Sequence, residues 1–560
     1  MTTRNRRWPG RTRLRTPLVL VFLALFPLYG GYYCFSVFLC GAVLAVLVLA
    51  CAYRDGRFRF PNDAAAWCLY GVCFCHLLSI PFAVSSGRAF AGFLRTLVWV
   101  LFEIYISNCS DEDRPGILDA ISYEGAVLAF LSTAAFLYTR FTGGEDLNSR
   151  LDGFFEYANT WALYQLVCIV LLAFKEKRKP VDYLSMAVLT LGVFLTGSRG
   201  VILLMTLAAV LGGIHAAVKS KKAIWAILAA TVIIAAAFAA SLLTKGAVLD
   251  RIRAISISSS SMNGRLLYWL DGIDILRAHP FGIGYGGYIY MQSAIQTGVY
   301  TVRYVHNDYL QAALDGGILA GVLLLVFVCI SISRKGLSLR ERTVMLLIAF
   351  HCFIDFDLQF SGVMLLFLLC GKGNKAASLS LRRKAPAAVC AFAVILCFAY
   401  FANVYYFDFR GGSLQSWQLF PADLELAEKH LAETYSQASS EEYADSIIAS
   451  TDYSELAWHR KYLAAVQRGD LRGMLTAKYQ YLLLNRYRSK VWNDFTVLLE
   501  DAAPSPEDEA LITEYARTAS EELERTIRRT RPLAWKISEK PDFSFSEDIL
   551  RRLSELEAGS

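Results

Sequence analysis

A series of long apolar segments, separated by short polar loops, fills the chain from residue 17 to about residue 404. A helix needs roughly 20 apolar residues to cross a bilayer, and each backbone amide must be satisfied within that helix. The segments are therefore predicted to be transmembrane helices, about thirteen in number. Their predicted limits are 17–29, 32–52, 64–82, 88–107, 116–138, 159–175, 181–196, 198–218, 223–243, 309–333, 343–355, 361–371 and 386–404.

The composition supports this fold class and sets the domain limits. The chain has 560 residues, of which 55% are hydrophobic and only 19% are charged, which is too apolar for one soluble core. From Asp408 onward the sequence has the charge content of a soluble domain. We predict an all-α fold, namely a polytopic bundle of about 12–13 spans over residues 17–404. A basic N-terminus at 1–16 precedes the bundle, and a soluble helical domain at 405–560 follows it.

Basic loops predict the orientation of the bundle. The basic N-terminus is read as the start of an uncleaved anchor. It falls on the same side of the membrane as five basic loops, at 53–59, 175–179, 219–222, 333–342 and 381–384. The positive-inside rule makes this side cytoplasmic. The predicted location is the inner membrane. The net charge of +7 lies largely in these loops, so we expect no nucleic acid partner. The opposite face carries the loops 139–158, 196–200 and 244–308 and the C-terminal domain.

Three arginines stand on the predicted outer face, where topology disfavours basic residues. They are Arg150, Arg199 and Arg265. A guanidinium keeps its proton and offers a planar set of donors that fits phosphate oxygens, so these residues could bind a pyrophosphate head group. The alternative is that they extend from helix ends to the membrane surface.

The long outer loop contains a predicted interfacial helix and a glycine-rich turn. Leucines recur at helical spacing after Asn263, which is a candidate helix cap. Arg265 and Trp269 are four residues apart, so they share one helix face and could meet the same ligand, or else stack on each other for packing alone. The glycines of GIGYGG at 282–287 are interpreted as turn geometry, because no strand precedes them.

A histidine and two carboxylates complete the set of candidates. His306 lies at the outer end of the tenth predicted span, where a neutral imidazole could accept a proton from a sugar hydroxyl. Asp355 and Asp357 could orient His306 or pair with an arginine, or they could form a solvated turn. His351 is assigned to a span. The sequence shows no metal-ligand spacing, so neither a metal nor another cofactor is predicted.

Ordered motifs then resemble one family. RLDGFFEYANTWA from Arg150, LTGSRG from Leu195, the helix from Arg265, HNDYLQAALDGGILAG from His306 and HCFIDFDLQ together resemble the O-antigen ligase and O-antigen polymerase superfamily over residues 15–405. The resemblance implies a metal-independent, inverting transfer from an undecaprenyl pyrophosphate-linked glycan. It implies that Arg199 and Arg265 bind the donor and that His306 is the base. The residues matched to donor-side or supporting positions are Arg150, Asn159, Ser198, Trp269, Asn307, Asp355 and Asp357.

The acceptor and the C-terminal domain leave alternatives open. The acceptor hydroxyl could belong to a glycan, a lipid or a protein, and its identity separates a ligase from a polymerase. The amphipathic helices after residue 408 look like degenerate tetratricopeptide-type repeats, which suggests a protein partner or the presentation of an acceptor. A transporter of lipid-linked glycans and an anchored scaffold are the more distant interpretations.

Overall fold

The computed structural model describes residues 15–108, 111–143, 150–220, 224–244, 246, 250, 253, 259–371, 376–380, 384–502 and 506–558. Most of the predicted cytoplasmic N-terminus, at 1–14, lies outside the described residues. Parts of the predicted inner loops 219–222 and 381–384 and of the outer loops 139–158 and 244–308 also lie outside them.

The described chain is predominantly α-helical, as the apolar pattern predicts. The helices before the C-terminal domain are α1 (Arg15–Leu25), α2 (Cys34–Asp55), α3 (Ala64–Leu78), α4 (Ser86–Ser107), α5 (Arg114–Phe141), α6 (Ala158–Ala173), α7 (Pro180–Thr196), α8 (Arg199–Ser220), α9 (Ile224–Leu243), α10 (Ser260–Ala278), α11 (Tyr288–Ile295), α12 (Asp308–Gly316), α13 (Ile318–Ile332), α14 (Leu339–His351), α15 (Ser361–Cys370) and α16 (Lys384–Phe409).

Several of these helices are long and apolar enough to cross a membrane. Among the described residues, four helices are both long enough and apolar enough to cross a membrane, and eight shorter apolar helices accompany them. The four are Cys34–Asp55, Ser86–Ser107, Arg114–Phe141 and Ala385–Phe409. Large apolar side chains such as Leu39, Phe74 and Phe130 are exposed on the outside of the bundle. An apolar surface of this kind fits lipid rather than water, so the chain is a multi-pass membrane protein.

The tenth predicted span is not one helix, because the chain breaks at Gly317. Gly317 has φ of +91° and separates α12 from α13. The amide of Ile318 donates to the carbonyl of Pro280 at 3.0 Å, and the amide of Ile283 donates to Leu314 at 2.7 Å. A Cβ on Gly317 would lie 2.9 Å from the carbonyl carbon of Phe281. The turn of the outer loop therefore packs where the sequence predicted an unbroken helix.

The outer-loop helix is present, but its cap differs from the prediction. α10 begins at Ser260, and the hydroxyl of Ser259 accepts from the amide of Met262 at 3.3 Å. Asn263 is not the cap, because it lies in the first turns of the helix. Its side-chain amide donates instead to the carbonyl of Lys536 at 3.4 Å. Gly282, Gly284 and Gly286 all have positive φ, which confirms the predicted turn geometry.

One small sheet was not predicted from sequence. Strand β1 (Arg57–Pro61) pairs antiparallel with β2 (Ala376–Ser380), with Arg57 opposite Ser380. The pair joins two loops that the basic pattern places on the same side of the bundle, which agrees with that pattern.

The C-terminal domain consists of further helices, as the amphipathic pattern predicts. They are α17 (Ser413–Leu419), α18 (Leu424–Glu433), α19 (Ser440–Ser450), α20 (Glu455–Arg468), α21 (Leu471–Leu483), α22 (Ser489–Glu500), α23 (Pro506–Arg529) and α24 (Ser546–Glu557). The first of these helices share one hydrophobic core with the outer loop, in which Leu431 and Ile447 pack with Ile275, Ile283 and Leu314. The later helices have their own core around Trp492.

Candidate active site

Asp355 lies at the centre of a hydrogen-bond network that joins three parts of the chain. It follows the end of α14 and is almost completely buried. One carboxylate oxygen accepts from the hydroxyl of Tyr157 at 2.7 Å and faces Nδ1 of His306 at 3.2 Å. The other accepts from Nδ2 of Asn159 at 2.7 Å and from the guanidinium of Arg265 at 3.2 Å. Asp355 thus contacts His306 and pairs with an arginine, and because it is buried the solvated-turn alternative is wrong.

Charge keeps the Asp355 carboxyl ionised despite its burial. Burial alone would raise its pKa. The hydrogen bond from His306 and the charges of His306 and Arg265 outweigh burial and hold the pKa of Asp355 well below its usual range. An ionised carboxylate favours a proton on Nδ1 of the facing imidazole. In the neutral ring this leaves the lone pair on Nε2, which is then able to accept a proton.

The backbone around His306 is held in an uncommon conformation. His306 has φ of 52°, in the left-handed region that few non-glycine residues adopt. The indole N–H of Trp269 donates to the carbonyl of His306 at 3.3 Å. The side chain of Asn307 caps α12 by accepting from the amide of Leu310 at 3.0 Å. A residue in this region costs about 1–3 kcal/mol, and such strain concentrates at functional sites.

Two of the predicted arginines enter the same network. The guanidinium of Arg265 bonds Asp355 and also Ser261 at 3.2 Å, while its Nε is buried with no hydrogen-bond partner among the described residues. The guanidinium of Arg150 donates to the carbonyl of Thr196 at 2.7 Å and to Oδ1 of Asn159 at 2.6 Å. Two guanidinium groups therefore lie on either side of the Asn159 and Asp355 pair.

The third arginine lies at the start of α8, beside the turn that carries Asp355. Ser198 is buried and precedes the helix, and its carbonyl accepts from the amide of Ile202 at 2.9 Å. Arg199 follows and is half-buried. A Cβ on Gly200 would lie 3.1 Å from Ile354, so the first turn of α8 packs against the residue before Asp355. The helix start and Arg199 both bring positive charge to this part of the site.

A second histidine and carboxylate pair lies next to the first, and sequence reasoning missed it. Nδ1 of His351 faces Asp357 at 2.5 Å, and the hydroxyl of Thr160 donates to the same carboxylate at 2.8 Å. All three residues are almost fully buried. His351 was assigned to a span; it is the last residue of α14 and belongs to this polar cluster. Tyr157 and Thr160 were also missed, although they flank Asn159 in the motif that begins at Arg150.

One cluster of two carboxylates and a thiol has the residue types of a metal site. The possible ligand atoms of Asp308, Cys352 and Asp357 lie within 4.8 Å of one another. His351 already contacts Asp357, and the amide of Leu358 donates to Asp308 at 2.9 Å. These carboxylates therefore serve donors of the protein itself, and we assign no ion to them.

Part of the chain that forms this site is similar to a known protein family. The family model described as O-Antigen ligase matches residues 184–325. This stretch contains Arg199, Arg265, Trp269 and His306, whereas Asp355 lies outside it. A search of curated proteins found no match.

Proposed function

We propose that this membrane protein transfers a glycan from undecaprenyl pyrophosphate to an acceptor hydroxyl, since a family model described as O-Antigen ligase matches residues 184–325. The match to this family model supports glycan transfer by a ligase or a polymerase. The carrier, the acceptor and the roles of individual residues belong to the proposal. The observation that carries it is the network in which Asp355 contacts both His306 and Arg265.

His306 is proposed to be the general base. Asp355 accepts from Nδ1, so Nε2 is the ring atom that takes the proton of the acceptor hydroxyl. The hydroxyl oxygen attacks the anomeric carbon as the bond from that carbon to the pyrophosphate oxygen breaks. The proton then resides on His306, which Asp355 stabilises as an imidazolium, and the lipid pyrophosphate leaves with its added negative charge. A single displacement of this kind inverts the anomeric configuration.

The arginines are proposed to bind the departing pyrophosphate. Arg265 has one buried N–H without a protein partner, and Arg150 and Arg199 bring two further positive charges to the same region. Fixed cations near the leaving group stabilise charge that develops in the transition state. The proposed transfer relies on these groups and needs no metal or other cofactor.

The proposed location is the outer face of the inner membrane. The basic loops favour an N-terminus in the cytoplasm, which places His306, the arginines and the C-terminal domain outside. This placement gives a lipid-linked donor access from the bilayer and an acceptor glycan, lipid or protein access from the aqueous side.

A ligase and a polymerase differ in the acceptor. The glycans of a strain that lacks the protein distinguish the two. A deletion strain of a ligase keeps full-length glycan on its lipid carrier, whereas a deletion strain of a polymerase accumulates single repeat units. We place the ligase first and retain the polymerase as the alternative within the same family.

The test of the proposal is His306→Ala in purified, reconstituted protein supplied with lipid-linked glycan and acceptor. Loss of a general base lowers the rate by about 10²- to 10⁴-fold. His279→Ala is the matched control, because His279 lies in the same outer region at the end of α10 and outside the network. We expect the control to transfer at the wild-type rate. Wild-type transfer by a folded His306→Ala variant would overturn the proposed role of His306.

A further inference from the structure

The chain segment that ends in His306 is held by the C-terminal domain. We call residues 296–307, which join α11 to α12, the His306 loop. The loop has no regular secondary structure, so its position depends on what it contacts. Two separate segments of the C-terminal domain contact this loop or the helices that flank it.

The first contact is an ion pair near the catalytic end of the loop. Glu425 in α18 accepts from Arg303 at 2.5 Å and pairs with Arg88 of α4 at 2.8 Å. Arg303 is three residues before His306. The Arg88 side chain is buried, and its guanidinium also lies 3.7 Å from Asp423. One carboxylate of the C-terminal domain thus joins the His306 loop to a helix of the membrane bundle.

Backbone contacts fix the position of Glu425 itself. The amide of Gly87 donates to the carbonyl of Ala422 at 3.0 Å, and the amide of Leu424 donates to the hydroxyl of Ser85 at 3.0 Å. A Cβ on Gly87 would lie 2.4 Å from the carbonyl carbon of Ala422. The start of α18 is therefore seated against the start of α4 at a distance that only glycine allows.

The second contact lies at the opposite end of the loop and involves the end of α23 and the segment that follows it. The amide of Arg531 donates to the carbonyl of Thr297 at 3.1 Å, and its guanidinium pairs with Asp274 of α10 at 2.5 Å. Arg529 donates to the carbonyl of Ile295 at 2.7 Å. A Cβ on Gly298 would lie 2.7 Å from that of Ala534, so the two segments are in close contact here too.

Between these contacts the loop is tied to its own neighbours. The side-chain amide of Gln292 makes two hydrogen bonds with the backbone of Val302, at 2.8 and 3.0 Å. Asp271 accepts from the hydroxyl of Thr297 at 2.6 Å and from that of Tyr300 at 2.7 Å. Movement of either end would therefore be transmitted along the loop to His306, whose left-handed backbone requires support from its surroundings.

We propose that the C-terminal domain acts as a clamp that positions His306, with Arg303 and Glu425 as the positioning residues. The domain thus contributes to the site within its own chain, in addition to any partner that it binds. The structural part of this inference stands alone, whereas its consequence for glycan transfer depends on the function proposed above. A small displacement of a catalytic group is enough to lower kcat by about 10²-fold.

The test combines hydrogen exchange with transfer kinetics in the full-length reconstituted protein. Arg303→Gln removes the loop side of the ion pair and leaves the pair of Arg88 and Glu425 intact, so the fold is retained. We expect amides of the His306 loop to exchange at least about tenfold faster, because local opening becomes easier. We expect kcat to fall at least about tenfold with a nearly unchanged donor KM. Arg303→Lys keeps the charge and should recover most of both losses.

Glu441→Gln is the matched control for Glu425→Gln. Glu441 pairs with Arg468 inside the C-terminal domain, and the two glutamates have similar side-chain exposure, 25% and 21%. Glu425→Gln should reproduce the effects of Arg303→Gln, and Glu441→Gln should show neither. Unchanged exchange of the loop in both Arg303→Gln and Glu425→Gln overturns the clamp. Faster exchange with unchanged kcat overturns its proposed consequence for glycan transfer.

The exchange measurement also separates this inference from the proposed function. If His306→Ala transfers normally, the catalytic proposal fails while loop exchange still reports on the clamp. If His306→Ala is inactive and the loop variants exchange like the wild type, the catalytic proposal stands and the clamp fails.

Discussion

Replacement of Asp355 by Asn tests the site most directly, because it keeps the size of the side chain and removes its charge. The carboxylate faces five donors, namely His306, Arg265, Tyr157, Asn159 and the amide of Phe356. An amide has one acceptor oxygen, so its NH₂ group must face some of these donors in either orientation.

Both orientations of the new amide disturb the proposed base. If the NH₂ group replaces the oxygen near His306, it donates to Nδ1 and forces the proton of the neutral ring onto Nε2, which then cannot accept one. If it replaces the other oxygen, it faces Asn159 and Arg265, and the imidazolium loses its counter-ion. Loss of base function predicts a kcat about 10³-fold lower, which equals about 4 kcal/mol of transition-state stabilisation.

The assay is single-turnover transfer in reconstituted membranes, with thermal unfolding measured on the same samples. Unfolding must be followed because a buried cation that loses its partner costs about 3–5 kcal/mol of stability. Asp408→Asn is the control. Asp408 accepts from Lys429 at 2.8 Å, and this pair lies outside the network. A folded Asp355→Asn protein that transfers within about threefold of the wild-type rate would refute the reasoning.

Two further predictions concern stability. Burial raises the pKa of Glu428 to about 7, so the native state keeps this proton over a pH range in which the unfolded state has released it. Glu428 therefore lowers the free energy of unfolding as pH rises from about 4.5 to 7. At pH 8 the Glu428→Gln variant should be more stable than the wild type by up to about 3 kcal/mol. At pH 4 the two proteins should be equally stable. Denaturation at the two pH values checks this, and an equal difference at both would contradict it. Gly317→Ala should lower the unfolding temperature more than Gly336→Ala, because both glycines have φ near 90° but only Gly317 has backbone within 3 Å of the added Cβ. Equal losses in the two variants would show that the helix break is not set by packing.

Sequence patterns predicted the bundle because membrane insertion is governed by local composition. A run of apolar residues must become a helix in lipid wherever it occurs, so most helix positions follow from the chain itself. The break at Gly317 could not be predicted in this way, since it depends on the glycine turn at 280–287 packing against it. The two strands at 57–61 and 376–380 were missed for a similar reason, because their pairing joins segments that are far apart in sequence.

The sequence alone determined the residue types of the candidate site, since arginines, a histidine and carboxylates on one predicted face already favour a phosphate-bearing ligand and proton transfer. Only the tertiary structure decided which of them meet: Asp355 contacts His306 and Arg265, whereas Asp357, two residues later, contacts His351. It also decided that Glu425, far along the chain, reaches Arg303. Such contacts depend on how separate helices pack, and neither spacing nor composition encodes a distance between segments that are far apart in the chain.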